Sequence, residues 1–283
     1  MKLTKMVAAC AVAMACGAAS AITIDGIVLP GGLTFSTITL FEGEKLGTGN
    51  GNSYIDQAGE VLLGIGIVNQ ILDKNNNIVW ANGQNGRELT FVIDGFLAET
   101  VSTTVDVPNN EAIGRVGFSG GSVKIYSQAA GSLNTGALTQ AAAVASASLG
   151  NLFLDTSGSC DGFVFVGSGN CRTLSSRAIT TAIFNPLLEA STNVTGQAFL
   201  DVVGAGGLAA TYFDTNTYGI PGDNADLKIT SSGQLQDPGS VWGFRGTGEV
   251  QSFLIPTPGT LALAGLALVG VGALSQRRKV AAA

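Results

Sequence analysis

The chain has 283 residues, of which 40 are glycine and 12% are charged, and it contains no histidine. The lack of histidine excludes Ser-His-Asp triads, metal sites with imidazole ligands and histidine-based pH switches. Glycine in a helix interior costs about 1 kcal/mol relative to alanine, so this composition favours a mainly β fold.

The first 21 residues have the pattern of a secretory signal peptide. Two lysines precede a short apolar run, and small residues at Ala19 and Ala21 end the segment. This pattern predicts export and cleavage after Ala21 by signal peptidase. A buried N-terminal helix and lipid attachment at Cys16 are the alternatives.

The region between the two terminal signals is acidic. Residues 22–255 hold nine of the 14 basic residues and all 20 acidic ones, which gives a net charge near −11. Such a charge repels phosphate backbones, so nucleic acid is not expected as a partner.

Short stretches of alternating apolar and polar residues recur through the region 22–254 and predict β-strands. The predicted strands are 34–40, Val61–Leu72, Ile78–Ala81, 87–95, 101–105, 122–126, 163–166, 197–203, 208–213, 227–230, 241–244 and 250–254. Residues 73–77 and 204–207 are predicted hairpin turns. The alanine-rich segment 138–149 predicts a helix, and 175–185 fits either a helix or a strand. The expected fold is one antiparallel β-sandwich or jelly-roll-like domain with one or two short helices.

Cys160 and Cys171 are the cysteines that remain after removal of the signal peptide. In an oxidising compartment they are expected to form a disulfide across a loop rich in glycine and serine. Because that loop is short, the bridge should fix one loop without determining the whole fold.

One stretch has a partial resemblance to a calcium-binding loop. Asp214 and Asn216 have the spacing of the first oxygen ligands of an EF-hand, but the bidentate glutamate of that motif is missing. Asp223 and Asp226 lie close enough in sequence to complete a looser Ca²⁺ site. An ordinary polar turn is the alternative, and no other cofactor is expected.

The C-terminal segment 255–283 begins with Pro256, Thr257, Pro258 and Gly259. It continues with 16 uncharged residues, predicted to form a transmembrane helix, and then a basic cluster. The cluster consists of Arg277, Arg278 and Lys279, which the positive-inside rule places in the cytoplasm.

This segment resembles the PEP-CTERM sorting signal of Gram-negative bacteria, with Thr257 at the position where the family usually has glutamate. The resemblance implies transient insertion into the inner membrane and cleavage by exosortase near the proline motif. It also implies a host that makes exopolysaccharide. A permanent single-pass anchor is the alternative.

A second set of motifs is similar to stretches of PEP-CTERM proteins that include flocculation-associated members. The motifs are the run 87–91 followed by 94–96, and the run 210–216 followed by 225–227. This resemblance implies a protein of the floc or biofilm matrix and assigns no catalytic residues.

Two classes of function follow from the sequence. The first is a non-enzymatic protein, exported and processed by exosortase, that contributes to an extracellular matrix containing polysaccharide. The alternative is a secreted carbohydrate-active enzyme or carbohydrate-binding module, for which Glu88 and Asp94 are candidate acids and Trp80 and Trp242 candidate sugar-stacking residues.

Overall fold

The computed structural model describes residues 21–106, 111–180, 192–204, 206–220, 223–237 and 239–255. The predicted signal peptide, apart from Ala21, and the C-terminal segment, apart from Ile255, lie outside the described residues. The latter includes the predicted transmembrane helix, the proline motif and the basic cluster. Among the residues that are described, no helix is both long and apolar enough to cross a membrane.

The described part of the chain contains fourteen strands and two short helices. The strands are β1 (Ile22–Ile24), β2 (Ile27–Leu29), β3 (Gly32–Glu44), β4 (Val61–Leu72), β5 (Ile78–Ala81), β6 (Arg87–Asp106), β7 (Glu111–Ala129), β8 (Asn151–Gly158), β9 (Arg172–Thr180), β10 (Asn193–Val202), β11 (Tyr218–Ile220), β12 (Asp223–Ala225), β13 (Leu227–Leu235) and β14 (Phe244–Leu254). The helices are α1 (Gln140–Ala147) and α2 (Ala210–Phe213).

The main sheet closes on itself to form an antiparallel barrel. Its hydrogen-bonded order is β3, β4, β6, β7, β9, β10, β13 and β14, and β14 pairs again with β3. β8 and β9 lie end to end and together occupy one strand position of the barrel. The first half of β7 pairs with β9, and its second half pairs with β8. The barrel therefore has eight strand positions, and the predicted β-sandwich or jelly-roll is wrong. The continuous ladder leaves no pair of separate sheets to pack face to face.

Alternation along the strands places mostly apolar side chains inside the barrel, whereas the outer face is mixed and carries the apolar cluster that includes Leu63 and Ile65 of β4. On β3, Ile38 and Leu40 face the interior. On β14, Phe244 and Val250 line the interior, whereas Arg245 lies on the outer face.

Several interior aromatic rings lie directly over glycines of the neighbouring strand. A Cβ atom at Gly66 of β4 would lie 2.1 Å from the ring of Phe91 on β6, and one at Gly233 of β13 would lie 2.7 Å from the ring of Phe244 on β14. These positions have to be glycine because the rings fill the volume that a side chain would need. Close packing of this kind accounts for part of the high glycine content.

One end of the barrel is closed by short elements that flank the main sheet. The β1–β2 hairpin buries Ile27 and Leu29, and β5 buries Trp80 completely. At the same end, α2 is joined to the end of β14 by a hydrogen bond from the Ile255 amide to the Tyr212 carbonyl, 3.0 Å. The interior is therefore filled at this end.

Helix α1 covers part of the outer face of the barrel. Thr139 caps its N-terminus by accepting a hydrogen bond from the Ala142 amide. Ala143 and Ala147 pack on Ile65 of β4 in a small apolar cluster outside the barrel. The predicted helix at 138–149 is thus confirmed, with slightly shorter bounds.

Three predicted strands, 163–166, 208–213 and 241–244, differ from the structure. Residues 208–213 contain helix α2, so the predicted hairpin turn at 204–207 does not join two strands, and of 241–244 only Phe244 belongs to a strand, β14. Residues 163–166 form only an isolated bridge, between Val164 and Cys171. The ambiguous segment 175–185 begins as a strand, because its first residues belong to β9.

Candidate functional site

The barrel interior contains a cavity of about 120 Å³. Residues of all eight strand positions line it, and most are aliphatic or aromatic. For comparison, a cavity of about 150 Å³ lined by Leu, Ile and Phe stays dry and binds benzene. The space is therefore suited to a compact apolar group.

Glu42 of β3 lines this cavity. It follows Ile38 and Leu40 at intervals of two residues, so the period of the strand directs it to the same face. Its neighbours across the ladder are Gly64 of β4 and Phe244 of β14. Among the described residues that line the cavity, Glu42 is the one with a charged group.

The carboxyl group of Glu42 has no hydrogen-bond or ion-pair partner among the described residues. Burial raises the pKa of Glu42 from its ordinary value near 4.5 to about 7. The physical cause is desolvation. The mostly apolar lining disfavours the charged form of the carboxyl and supplies neither a hydrogen-bond donor nor a cation to stabilise it. At neutral pH this carboxyl is therefore divided between its protonated and ionised forms.

Two loops form the rim of the cavity at the end where Glu42 lies. The β3–β4 loop, residues 45–60, contributes Ser53 and Tyr54, and the β13–β14 loop, residues 236–243, contributes Gly243. The Ser53 hydroxyl donates a hydrogen bond of 2.6 Å to the Ser240 carbonyl, and the Tyr54 hydroxyl donates one to the Gln236 carbonyl. These bonds join the two loops across the rim.

Comparisons with known proteins add little to this geometry. No family model matches the chain, and no curated protein is significantly similar to it. One solved structure is similar at 9% identity over 79% of this chain and 96% of its own. It is Ail, the attachment invasion locus protein of Yersinia pestis, in complex with the heparin analogue sucrose octasulfate. Its TM-score of 0.14 is too low to support any argument about fold or function.

The residues of the predicted calcium loop are only partly brought together. The buried carboxylate of Asp226 accepts hydrogen bonds from the amides of Thr215 and Asn216, at 2.6 and 2.5 Å, and from that of Val202, at 2.8 Å. Asp214 lies beside Asn216 and is exposed. Asp226 thus anchors a turn, as in the alternative interpretation of this stretch, and calcium binding here stays a prediction.

The predicted disulfide between Cys160 and Cys171 is present, with 5.5 Å between the Cα atoms. It closes the loop that connects β8 to β9. A second link beside it is the ion pair between Arg172 and Asp161, 2.7 Å, and the Arg172 guanidinium also lies over the Phe163 ring. The predicted signal-peptidase and exosortase positions lie outside the described residues.

The candidate acids and tryptophans of the carbohydrate hypothesis have structural partners. Glu88 is buried and accepts hydrogen bonds from backbone amides of the turn before α1. Asp94 pairs with Lys45 at 2.8 Å. Trp80 and Trp242 are both buried, so neither offers an exposed face for stacking on a sugar ring.

Sequence reasoning missed the three glutamates Glu42, Glu44 and Glu60. The signal for Glu42 was available, because extending the alternation of predicted strand 34–40 by two residues places a glutamate on the apolar face. The positions of Glu44 and Glu60 depend on the conformation of the glycine-rich loop between them. No local sequence pattern predicts that conformation.

Proposed function

We propose that this protein is an exported, non-enzymatic binding protein whose barrel interior holds a compact apolar molecule with a hydrogen-bond-donating head group. The observation that carries the proposal is the carboxyl of Glu42, which has no partner among the described residues and lies in a mostly apolar cavity. Glu42 is half-buried and faces the cavity. A carboxyl in such a mostly apolar space is costly without a partner, and a ligand that supplies the missing donor removes that cost.

The chemistry of the head group follows from the carboxyl. An ammonium group both donates hydrogen bonds and neutralises the ionised form of Glu42, whereas a hydroxyl group only donates. A ligand carboxylate would place a second negative charge in the same apolar space. We therefore expect amines to bind best, alcohols less well and carboxylates worst.

The site is suited to binding and lacks the arrangement for glycoside hydrolysis. That reaction uses two carboxyl groups about 5 to 10 Å apart across the substrate. Glu42 has no second acid beside it among the described residues of the cavity lining.

Isothermal titration of the purified protein with hexylamine, hexanol and hexanoate tests the proposal. The three ligands share an apolar chain whose size is near that of the cavity and differ in the head group. Charge-assisted hydrogen bonds contribute about 1.5 to 3 kcal/mol and neutral ones about 0.5 to 1.5 kcal/mol, so the difference predicts that hexylamine binds roughly tenfold more tightly than hexanol. Glu42→Gln should remove this preference while hexanol still binds.

Two further variants separate the interior from the outer surface. Ala198→Phe on β10 adds a ring inside the barrel, whereas Thr195→Phe adds the same ring to the exposed face of the same strand. We expect the first to abolish binding of all three ligands and the second to leave it unchanged. Equal effects of the two variants, or no binding by the wild-type protein, would contradict the proposal.

The place of action is proposed from the sequence signals. We infer export across the inner membrane, processing by signal peptidase and exosortase, and a role in an exopolysaccharide-associated matrix. The Cys160–Cys171 disulfide supports an oxidising compartment. Mass spectrometry of the exported protein is the test: its first residue should be Ile22 and its last should lie near Pro256. An exported chain that retains residues 1–21 would refute cleavage by signal peptidase, and one that retains residues 261–279 would refute processing by exosortase.

A further inference from the structure

The β3–β4 loop, residues 45–60, is folded around two buried glutamates. Glu44 is the last residue of β3, and Glu60 directly precedes β4, so the two lie at the two ends of the loop. Each residue has only 1% of its surface exposed. Charged residues buried to this degree normally have a partner of opposite charge or a metal ion.

Backbone amides of the loop fix the orientation of both carboxylates. The Oε2 atom of Glu44 accepts a hydrogen bond of 2.8 Å from the Gly51 amide. The Oε2 atom of Glu60 accepts bonds from the amides of Asp56 and Gln57, at 2.8 and 3.0 Å. The two Oε1 atoms are buried and have no hydrogen-bond partner among the described residues. One oxygen of each carboxylate is therefore held, and the other is left for a ligand.

The two unpartnered oxygens converge beside Gly49. A Cβ atom at position 49 would lie 2.5 Å from Oε1 of Glu60 and 2.8 Å from Oε1 of Glu44. Gly49 does not have a left-handed backbone conformation. Glycine is required there for the space next to the two oxygens and not for its conformational freedom.

The surrounding charges leave this pair without compensation. Asp56 adds a third carboxylate nearby, and its oxygens accept hydrogen bonds from the side-chain amides of Asn50 and Asn52. Lys45, the cationic residue of the loop, pairs with Asp94 on β6. The three neighbouring carboxylates of Glu44, Glu60 and Asp56 therefore favour the binding of a cation.

We propose that Glu44 and Glu60 bind a calcium ion through their Oε1 atoms. Oxygen-only donors on an irregular loop match the preference of Ca²⁺, whereas Zn²⁺ favours nitrogen and sulfur and Mg²⁺ requires a stricter octahedron. No group of three or more His, Cys, Asp or Glu side chains converges within the described ranges. Water and loop carbonyls therefore complete the shell, and affinity falls in the range of extracellular modules, ~10⁻⁴ to 10⁻³ M.

The experiment is a calcium titration of the purified full-length protein after treatment with a chelator. We expect one equivalent of Ca²⁺ to bind and to raise the melting temperature by several degrees at 10 mM, with a smaller rise for Mg²⁺. Glu60→Gln and Gly49→Ala should each weaken calcium binding at least tenfold. The first removes a charge and the second fills the space beside the oxygens.

Two control variants make the result specific. Gly204→Ala places a methyl group where no atom lies within 4 Å, and Asp214→Asn alters the calcium loop predicted from the sequence. Both should bind calcium as the wild-type protein does. Loss of binding in Asp214→Asn with retention in Glu60→Gln would overturn the proposal. Failure of the wild-type protein to bind calcium at 10 mM would also overturn it.

Discussion

Glu42 on β3 lies directly opposite Gly64 on β4, and the missing side chain at position 64 gives the glutamate its place in the cavity. A Cβ atom at position 64 would lie 2.8 Å from Cγ of Glu42. The pair therefore works as a unit: the glycine provides the volume and the glutamate supplies the one charged group of the lining.

Replacing Gly64 with alanine should displace the Glu42 side chain. Overpacking of an interior position costs about 1 to 3 kcal/mol, and the displaced carboxyl would no longer meet the ligand head group. We expect lower stability in urea unfolding and a loss of the preference for hexylamine over hexanol. Unchanged values of both quantities would show that the two positions are independent.

The stability of the protein should depend on pH through Glu42. The folded protein keeps the proton on this carboxyl up to about pH 7, whereas the unfolded chain releases it near 4.5. Between these values the unfolded state binds fewer protons, so the free energy of unfolding falls as pH rises. Relative to Glu42→Gln, the wild-type protein should lose on the order of 2 to 3 kcal/mol between about pH 4.5 and pH 8. Urea unfolding of both proteins at several pH values measures this difference.

Removing the disulfide should weaken the protein without unfolding it. β8 and β9 are each held by hydrogen bonds to both β7 and β10, and these ladders do not depend on the Cys160–Cys171 bridge. We expect Cys160→Ser to lower the free energy of unfolding by about 2 to 3 kcal/mol, as estimated from loop closure. Thermal unfolding followed by circular dichroism provides the check, and complete loss of the cooperative transition would contradict this expectation.

Glu88 should be a main determinant of the turn before α1. Its carboxylate accepts bonds from the amides of Gly131, Ser132 and Leu133, at 2.8 to 2.9 Å, and from the side chain of Gln128. Glu88→Ala would leave several partly buried donors unsatisfied, and each fully buried unsatisfied donor costs about 1 to 3 kcal/mol, an upper limit here. We expect strong destabilisation by urea unfolding and faster amide exchange at residues 131–133. Asp94→Ala, which removes an exposed ion pair on the same strand, is the matched control and should cost less than about 1 kcal/mol.

Much of the local structure could be predicted from the sequence. Strands β4 and β5 have the predicted bounds, and the alanine-rich segment forms α1. Closure of the sheet could not be predicted. The inward and outward alternation is the same in a sandwich and in a barrel, and the difference lies in long-range pairs such as β14 with β3.

The errors at particular residues have physical causes. The stretch 208–213 has a strand-like composition, but Ala210 and Phe213 are buried in a single helical turn. Glu88 lies on the outer face of β6, which the sequence pattern indicates as solvated, yet the turn before α1 covers it. In both cases packing between distant segments overrides the local pattern.

The most direct test of the proposed binding site is an NMR titration of the Glu42 side-chain carboxyl carbon with hexylamine. The account predicts that the signal of Glu42 shifts on saturation and that its pKa falls from about 7, because the ammonium group stabilises the ionised form. Hexanol should shift the same signal and lower the pKa less than hexylamine does, because its hydroxyl donates a hydrogen bond but carries no positive charge. Saturation with hexylamine that leaves the Glu42 signal and its titration unchanged would contradict the account.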